Sequence, residues 1–594
     1  MMSSLIDKNN LIYNLYKLIT LLNRKNKFRI IYLLIILFLS TIAEMISLSL
    51  IIPFLAAFND PQLIWDSQIA REFLTFLGFN SSDNLLLPIT IIFILSVLFA
   101  SILKLFNNWY RCLLIAKISC DISFKAFSKS IYQPYYIHLR RNSSELIGAV
   151  TSHIGGATNA LGQLLYLVNY SFLSLGIFCT LILIQFRFSL IISFVFISIY
   201  LVLLIITQPI LRKNSQNTRK FSEKRVQIIQ ESFGAFRDVI IDNNEDFFIR
   251  NYVNFDYPIR KMERENEFLS IYPKFIIEGV SLVSVGLIAL IAEMGNYSLV
   301  NILPLLGFFG LAAQKFLPAL HYIYSSFTSI KANTFQLKST LGLISQAENK
   351  NILISDKEII NFHKNISFNS VHFSYDNEEN LIIKNSSFEI NKGDKVGIVG
   401  KTGSGKSTLI DLLIGLIKPT SGEIFIDDNN LNKSNQKVTN KSWISQIGHV
   451  PQSIYLVDDT IAKNIAFGIP EEKINYKRIK ELIKIVLLDD FIKNTKMGLK
   501  TVVGERGIIL SGGQRQRIGI ARALYKENIK ILILDEATSA LDNYTESKLI
   551  ENINSMTKNY TLIMIAHRLT TLKKCNKIFE IKKGIIKETS LDKV

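Results

Sequence analysis

Long apolar runs alternate with polar, basic stretches along the first half of the chain. A helix that crosses a bilayer needs roughly 20 mainly apolar residues, and six of the runs meet that length. These runs lie near Ile30–Phe54, Leu86–Phe106, Leu164–Phe186, Ser189–Ile210, Ile271–Met294 and Leu299–Tyr324. The pattern predicts an α-helical transmembrane domain of six spans over residues 29–330.

Residues 1–28 differ from this pattern because they are polar and basic. Apolar side chains recur at helical spacing within them, at Leu11, Leu15, Ile19 and Leu22, which predicts a cytoplasmic or interfacial helix. The apolar run that follows is too long for a cleaved signal peptide and lacks a small-residue cleavage site. We therefore expect it to be the first membrane helix.

Basic residues are distributed unevenly between the apolar runs. The stretches 107–163 and 212–270 are long and rich in Arg and Lys, whereas 59–84 carries one arginine among several acidic residues. Cytoplasmic connections carry an excess of Lys and Arg. Both termini and the two long stretches are thus predicted to be cytoplasmic.

The second half of the chain contains a glycine-rich segment after a strand-like run at 395–399. Gly400 to Ser407 follow the pattern G-x-x-x-x-G-K-S. Its glycines let successive backbone N–H groups turn towards phosphates, Lys406 supplies a positive charge, and Ser407 supplies a hydroxyl for Mg²⁺. This segment predicts a nucleoside triphosphate site.

Two further motifs follow. Leu510 to Gln514 have the sequence Leu-Ser-Gly-Gly-Gln, and the apolar run Ile531–Leu534 ends in Asp535 and Glu536. Together with the phosphate loop these residues resemble the ATPase domain of ABC transporters, and the resemblance covers residues 362–594. Other family elements occur in the expected order, at Tyr375, Gln452, Ser539 to Asp542, and His567.

The resemblance implies a role for each matching residue. Glu536 is expected to be the general base, with Gln452 and His567 as further catalytic residues. Mg²⁺ is expected at Ser407, Gln452 and Asp535. The residues expected to bind ATP are Tyr375, Gly400, Lys401, Thr402, Gly403, Ser404, Gly405, Lys406, Ser407, Thr408, Ser511, Gly512, Gly513, Gln514 and Asp542.

Composition limits the other function classes. A hydrophobic fraction of 49% indicates a membrane protein, and the net charge of +18 is concentrated beside apolar runs, as in a topology signal. We therefore expect no nucleic-acid partner. The 4 cysteines have neither metal nor disulfide spacing. The membrane runs also argue against a soluble ABC ATPase of DNA repair or translation.

Six membrane helices fused ahead of an ATPase domain, with residues 331–361 as a linker, resemble the exporter class of ABC transporters rather than the importers. In that class short coupling helices end the long cytoplasmic connections, which by position lie near Tyr135–Arg140 and Ser232–Arg237. The signature of one ATPase domain contacts the nucleotide on another. The resemblance therefore implies a homodimer with two composite ATP sites.

The substrate is indicated only locally. Residues 42–54 resemble the first helix of bacterial lipid-linked oligosaccharide flippases, which implies export or flipping of a lipid-linked or amphipathic substrate across the bacterial inner membrane. A multidrug or peptide exporter is the alternative. Glu44, Glu278 and Lys315 are ionisable groups at membrane depth and candidates for the transport path. A structural pair between Glu44 and Lys315 is the other interpretation.

Residues 61–77 follow the first span on its outer side. Apolar side chains at Trp65, Ile69, Phe73, Phe76 and Leu77 have helical spacing. This predicts an amphipathic helix in the outer interface, either in contact with a lipid tail or as a lid against neighbouring helices.

Overall fold

The computed structural model of the chain describes residues 11–59, 62–65, 71–72, 75, 85–184, 186–294, 299–346, 360–375, 380–431, 442–556, 560–566, 568 and 572–590. The chain separates into two compact units. The first comprises Met1–Gln133 and Arg140–Asn349, and the second comprises Pro134–Leu139 and Lys350–Val594. Residues 134–139, which fall within the connection after the second predicted span, group with the second unit.

The first unit is helical throughout its described part. Its helices are α1 (Leu11–Leu21), α2 (Arg24–Ser49), α3 (Ile51–Asn59), α4 (Gln62–Trp65), α5 (Leu86–Ile131), α6 (Tyr135–Arg140), α7 (Ser143–Gly148), α8 (Ile154–Ile184), α9 (Phe186–Gly234), α10 (Phe236–Ile241), α11 (Glu245–Met294), α12 (Leu299–Ala332) and α13 (Thr334–Ile344). Of these, α6 belongs to the second unit apart from its last residue. A π-helical turn, Ala149–His153, joins α7 to α8.

Four helical stretches of the described residues are long and apolar enough to cross a membrane: Arg24–Leu55, Leu86–Ile131, Ser143–Leu183 and Phe194–Gly234. The remaining two predicted spans lie in α11 and α12, where the side chains of 287–313 fall outside the described residues. The count of six spans therefore stays a prediction.

The membrane helices are longer than the apolar runs that predict them. Helix α5 continues to Ile131, well beyond Phe106, and α9 continues to Gly234, well beyond Ile210. The continuation of α5 contributes Leu114, Ile118 and Ile122 to a buried apolar cluster. An apolar run marks the part of a helix that lipid surrounds, whereas packing and capping determine where the helix ends.

The N-terminal helix α1 packs against the unit through one face. Leu15, Leu18 and Leu22 are buried in the same cluster as α5 and α13, while Ile12 and Tyr16 remain exposed. Asn23 Nδ2 donates to Asp121 Oδ1 at 2.6 Å and fixes the turn into α2. The predicted helix is therefore present, and it presents only its outer face to the surroundings.

Short helices occur at both predicted coupling positions. Helix α6 has the predicted bounds, Tyr135–Arg140. At the second position α9 stops at Gly234, Ala235 leaves the helical conformation, and α10 begins at Phe236, so the short helix lies about four residues later than expected. A role of either helix in coupling stays a prediction.

The outer segment 61–77 is described only in part. Trp65, at the end of α4, packs against Ala57, Leu85 and Ile89, and Arg71 Nε donates to the Trp65 carbonyl at 3.0 Å. Ile69, Phe73, Phe76 and Leu77 lie outside the described residues.

The second unit combines strands and helices. Its strands are β1 (Asn365–Phe373), β2 (Ile383–Asn391), β3 (Lys395–Gly400), β4 (Ser421–Ile426), β5 (Asn429–Asn430), β6 (Ile447–Val450), β7 (Ile531–Asp535), β8 (Thr561–Ile565), β9 (Lys577–Lys582) and β10 (Ile585–Thr589). Its longer helices are α14 (Lys406–Ile414), α15 (Ile461–Ile465), α16 (Tyr476–Ile485), α17 (Asp489–Asn494), α18 (Gly512–Tyr525) and α19 (Asn543–Met556).

The described strands form two sheets. An antiparallel sheet has the order β2-β1-β4-β5, and a larger sheet has the order β10-β9-β3-β8-β7-β6. In the larger sheet β9, β3, β8, β7 and β6 run parallel, and β10 is antiparallel to β9. Every residue of β7 and β8 is buried, as expected for a parallel sheet covered on both faces. The loops after β3 and β7 consequently emerge at the same edge of the sheet.

Candidate active site

The phosphate loop lies between β3 and α14 at the carboxyl edge of the parallel sheet. Gly403 and Gly405 have φ of 79° and 105°, which L side chains rarely adopt. These conformations turn the backbone around so that α14 begins directly at Lys406, with its N-terminus at the loop. A helix N-terminus and a glycine-rich loop together form an anion-binding arrangement.

Two side chains of the loop fit a triphosphate. Lys406 is buried, and its Nζ donates to the carbonyl oxygens of Gly400 at 2.8 Å and Lys401 at 3.2 Å. Ser404 Oγ is buried and has no hydrogen-bond partner among the residues that the structure describes, an unusual state for a hydroxyl. Phosphate oxygens would give both groups charged acceptors. Among the other predicted ligands, Lys401, Thr402, Gly403 and Ser407 are exposed at this edge.

Tyr375, one of the residues expected to bind ATP, lies next to the start of α14. Tyr375 Oη is 3.5 Å from Thr408 Oγ1, and its ring meets Phe373 edge-on with centroids 4.9 Å apart. Tyr375 and Thr408, both expected to bind ATP, are thus adjacent in the fold, although Tyr375 lies well before the phosphate loop in the sequence.

Asp535 ends the buried strand β7, and the Ser407 side chain lies close enough to affect the titration of its carboxyl. Burial raises the pKa of Asp535, and the neighbouring Glu536 carboxylate raises it further, whereas Lys406 and the Ser407 side chain act in the opposite direction. The serine hydroxyl and the carboxylate are both oxygen ligands, which Mg²⁺ prefers. The pair therefore fits the magnesium role that the sequence predicts.

A further carboxylate, Asp411 in α14, was not singled out from the sequence. Burial, together with the charge of Asp535, raises the pKa of Asp411 to about 6. In the sequence Asp411 is simply an acidic residue in the helix after the phosphate loop. Nothing in the sequence alone indicates that it lies near Asp535.

Glu536 is the first residue after β7 and has a left-handed backbone conformation, with φ of 50°. Its N–H donates to the Ile565 carbonyl at 3.1 Å, so the sheet holds the backbone in place. Gln452 Nε2 donates to Glu536 Oε2 at 2.8 Å. The structure therefore brings together two of the three predicted catalytic side chains. The third, His567, lies outside the described residues.

The signature segment begins helix α18. Ser511 is the N-cap: the Gln514 N–H donates to Ser511 Oγ at 3.2 Å, and the Ser511 N–H donates to Gln514 Oε1 at 2.9 Å. This reciprocal capping box satisfies two backbone N–H donors at the start of the helix. The signature is thus ordered by its own residues.

Gly512 and Gly513 pack against the loop that follows Glu536. A Cβ at Gly512 would be 3.3 Å from Ala540 Cβ, and one at Gly513 would be 3.0 Å from Leu541 Cδ2. Gln516 extends the contact, because its Nε2 donates to Ser539 Oγ at 3.0 Å. The loop then ends at Asp542, whose Oδ2 accepts from the Thr545 N–H at 2.9 Å at the start of α19. This hydrogen bond lowers the pKa of Asp542.

An ion pair between a buried glutamate and an exposed arginine supports the same loop, and sequence reasoning missed it. Glu546 is buried; its Oε2 accepts from Arg568 Nη1 at 2.9 Å and its Oε1 from Thr538 Oγ1 at 2.7 Å. Arg568 Nη1 also donates to the Leu541 carbonyl at 3.1 Å. The only indications in the sequence were the positions of the two residues: Arg568 directly follows His567, and Glu546 lies four residues after Asp542.

The membrane unit contains its own charged group. Glu44 in α2 is buried, and its Oε1 lies 2.9 Å from Lys315 Nζ in α12 and 3.2 Å from Lys104 Nζ in α5. The predicted Glu44–Lys315 pair is therefore present, with a second lysine that the sequence analysis did not single out. Glu278 lies 3.7 Å from Lys274 on its own helix instead.

Comparisons with known proteins agree with this geometry. The family model for the ABC transporter matches residues 383–539, and the model for the ABC transporter transmembrane region matches residues 28–312. A solved structure of a bacterial Atm1-family ABC exporter with ATP bound has a TM-score of 0.74 at 22% identity, covering 96% of each chain. This likeness shows the fold.

Among curated proteins, the alpha-hemolysin translocation ATP-binding protein of Escherichia coli O157:H7 is 29% identical over 93% of this chain and 76% of its own length. The ATP-dependent lipid A-core flippase of Wigglesworthia glossinidia brevipalpis is 44% identical, over 38% of this chain and 37% of the flippase. That of Pectobacterium atrosepticum is 42% identical over 39% of each.

The two family matches, one in each half of the chain, place this protein among the ABC transporters. Within that class it is an exporter-type half-transporter, with a transmembrane domain fused to an ATP-hydrolysing domain.

Proposed function

We propose that this half-transporter exports or flips a lipid-linked or amphipathic molecule across the bacterial inner membrane. Two copies act together, and ATP hydrolysis at two composite sites drives the transport. The N-terminus and the ATPase domain lie in the cytoplasm, where the long basic stretches also lie by the positive-inside rule.

The site residues have distinct roles in hydrolysis. Lys406 and the loop backbone bind the β and γ phosphates, Tyr375 stacks on adenine, and Ser407, Asp535 and Gln452 hold Mg²⁺, which polarises the γ-phosphate when bound. Glu536 accepts the proton of the attacking water, and Gln452 orients both that water and the Glu536 carboxylate. His567 contacts the γ-phosphate.

The need for a dimer follows from the motifs that one chain contains. Each chain supplies one phosphate loop and one signature, and in ABC transporters the signature of one copy completes the nucleotide site of another. Ser511, Gly512, Gly513, Gln514 and Asp542 therefore serve the ATP held by the partner. The capping box supports this role, because a signature ordered by its own residues is ready to meet a nucleotide from outside.

The proposed substrate class rests on one observation, the charged group inside the membrane unit. Glu44 lies within the first apolar run, Ile30–Phe54, and ionisable groups at membrane depth are costly unless they serve a polar path or pair. Apolar residues such as Ile35, Phe38 and Leu39 are exposed on the same helix. A polar site within an apolar surface suits a molecule with a polar head and an apolar tail.

Export of a peptide or protein is the second candidate. One relative that matches 93% of this chain is an alpha-hemolysin translocation ATP-binding protein, whereas the two flippase matches cover 38% and 39% of it. A proteoliposome assay distinguishes the candidates by measuring ATPase stimulation with lipids, glycolipids, drugs and unfolded peptides. Stimulation by lipids or glycolipids supports the proposal, and stimulation by peptides alone contradicts it.

A further inference from the structure

We infer that Lys104 and Lys315, held by Glu44, form a binding site for the phosphate group of the transported molecule. The inference rests on the proposed function and names the chemistry of the substrate headgroup: a phosphorylated or diphosphorylated lipid.

The charges of the cluster do not balance. Both lysines contact the same oxygen of Glu44, so the three side chains together carry one excess positive charge. Glu44 is nearly fully buried, with its side chain 7% exposed, whereas Lys104 and Lys315 are 49% and 43% exposed. The carboxylate is thus enclosed, and the lysine side chains form the accessible side of the cluster.

Each ammonium has three N–H donors, and Glu44 accepts only one from each. Because the two Nζ atoms lie 3.2 and 2.9 Å from the same Glu44 oxygen, the two ammonium groups are close enough to contact one phosphate group. A phosphate matches this arrangement because its several oxygens accept from both lysines, and its negative charge removes the excess positive charge.

An ion pair that only joins two helices would need one lysine. A single Lys–Glu pair is neutral, whereas a second lysine at membrane depth adds a cost in free energy. A phosphate bound to the lysines offsets that cost. The second lysine is therefore the feature that the structural interpretation leaves without a reason.

Polar and aromatic side chains continue from the cluster along two of its helices. On α5, Lys104 is followed at helical spacing by Asn108 and Arg111, and Arg111 Nη2 donates to Asn108 Oδ1 at 2.8 Å. The Arg111 guanidinium lies over the Tyr166 ring, 3.2 Å from its centroid. Arg111 therefore adds a third cation, two turns beyond Lys104 on α5.

Tyrosines accompany these cations. Tyr322 lies two turns beyond Lys315 on α12 and stacks on Tyr170 with centroids 4.3 Å apart, while Tyr170 stacks on Tyr166 at 6.0 Å. Stacked rings with phenolic hydroxyls provide flat surfaces and hydrogen bonds for the polar part of a headgroup. The lysine cluster and this tyrosine stack together outline a headgroup site.

A binding measurement on the full-length protein tests the inference. The protein is placed in phosphatidylcholine nanodiscs, and the binding of radiolabelled geranylgeranyl diphosphate is compared with that of geranylgeraniol, which has the same tail without phosphates. We expect the diphosphate to bind more tightly. Lys104→Gln and Lys315→Gln should each weaken its binding at least about tenfold, the scale of a charge-assisted hydrogen bond, without changing the binding of the alcohol.

Three further variants separate recognition from structure. Lys104→Arg and Lys315→Arg keep the charge and should retain diphosphate binding. Lys274→Gln is the matched control, since Lys274 is also a half-exposed lysine paired with a glutamate in this unit, and it should have no effect. Glu44→Gln frees both lysines and should tighten diphosphate binding, whereas a structural ion cluster predicts that it weakens binding as the lysine variants do.

The results also separate this inference from the proposed function. Equal binding of diphosphate and alcohol, or diphosphate binding that survives both Lys→Gln changes, overturns the headgroup site. Lysine-dependent binding without transport of any lipid in proteoliposomes supports the site and contradicts the proposed function. If a Lys→Gln variant does not fold, diphosphate binding by the Arg variants and by Glu44→Gln tests the site instead. Retained binding by the Arg variants with tighter binding by Glu44→Gln supports the headgroup site, and weaker binding by Glu44→Gln overturns it.

Discussion

Gln452 Nε2 and Glu536 Oε2 are joined by a 2.8 Å hydrogen bond, although 84 residues separate them in the chain. The amide holds one carboxylate oxygen, so the orientation of Glu536 depends on the segment after β6. A carboxylate that is oriented before the reaction needs no reorganisation when a proton is transferred.

Replacing Glu536 with Gln removes the base but preserves the contact, because the new amide oxygen can accept from Gln452. ATP binding should persist, and hydrolysis should fall at least about a hundredfold, the usual scale for a general base. Turnover and nucleotide affinity measured on the same preparation check this. Near-normal hydrolysis would show that another group takes the proton.

Two inactive variants should restore one another if the sites are composite. Ser511→Arg damages the signature and Lys406→Ala damages the phosphate loop, so each homodimer should be inactive. A mixed dimer, co-expressed with two affinity tags and purified on both, contains one intact site and should hydrolyse ATP. No activity in the mixed dimer, with a wild-type pair carrying the same tags as control, would argue against shared sites.

Replacing Arg568 with Met should release the loop at Leu541 and leave the buried Glu546 carboxylate with a smaller set of partners. We expect a loss of about 1 to 3 kcal/mol in the free energy of unfolding. Turnover should fall about tenfold or more through misplacement of the loop, with the KM for ATP little changed.

The control for Arg568 is Lys574→Met, which breaks an exposed ion pair with Glu551 at 3.1 Å in the same unit. Exposed pairs contribute little, so this variant should lose no more than about 1 kcal/mol. Equal effects of the two changes would contradict a positioning role for Arg568.

Asp411 should make stability depend on pH. Its folded-state pKa of about 6 lies above the ordinary value, so the folded state retains the proton to higher pH. The resulting stabilisation is complete below about pH 4 and is lost as the pH rises through 6. Asp411→Asn should therefore stabilise the nucleotide-free protein at pH 8 by about 1 kcal/mol, allowing for partial exposure, and have little effect at pH 4.

Melting curves between pH 4 and 8 measure this difference. The exposed Asp428→Asn makes the same charge change in the same unit and serves as control. A stabilisation by Asp411→Asn that does not vary with pH would show that titration of this carboxyl is not the cause.

The nucleotide site was largely predictable because its motifs are local. The phosphate loop combines a strand, glycines and a helix start within 13 residues, Lys395 to Ser407. The contact of Ser407 with Asp535 follows from the shared requirement for oxygen ligands. Arg568 and Glu546 were missed because their pairing arises only when the ends of β8 and α19 meet in the fold.

The membrane unit was less predictable. Apolar runs mark the lipid-embedded parts of helices, so the sequence located the described spans but not the continuation of α5 to Ile131. Lys104 stands near the end of a predicted span, where a lysine usually extends to the interface. Only the approach of α2 and α12 shows that it shares Glu44 with Lys315.

The left-handed backbone at Glu536 affects how this protein can be engineered. A side chain other than Gly or Asn in that conformation costs about 1 to 2 kcal/mol, so Gly or Asn at 536 relieves strain while removing the proposed base. A campaign that selects variants by melting temperature alone will tend to enrich such inactive substitutions. Libraries for thermostability should therefore keep position 536 fixed.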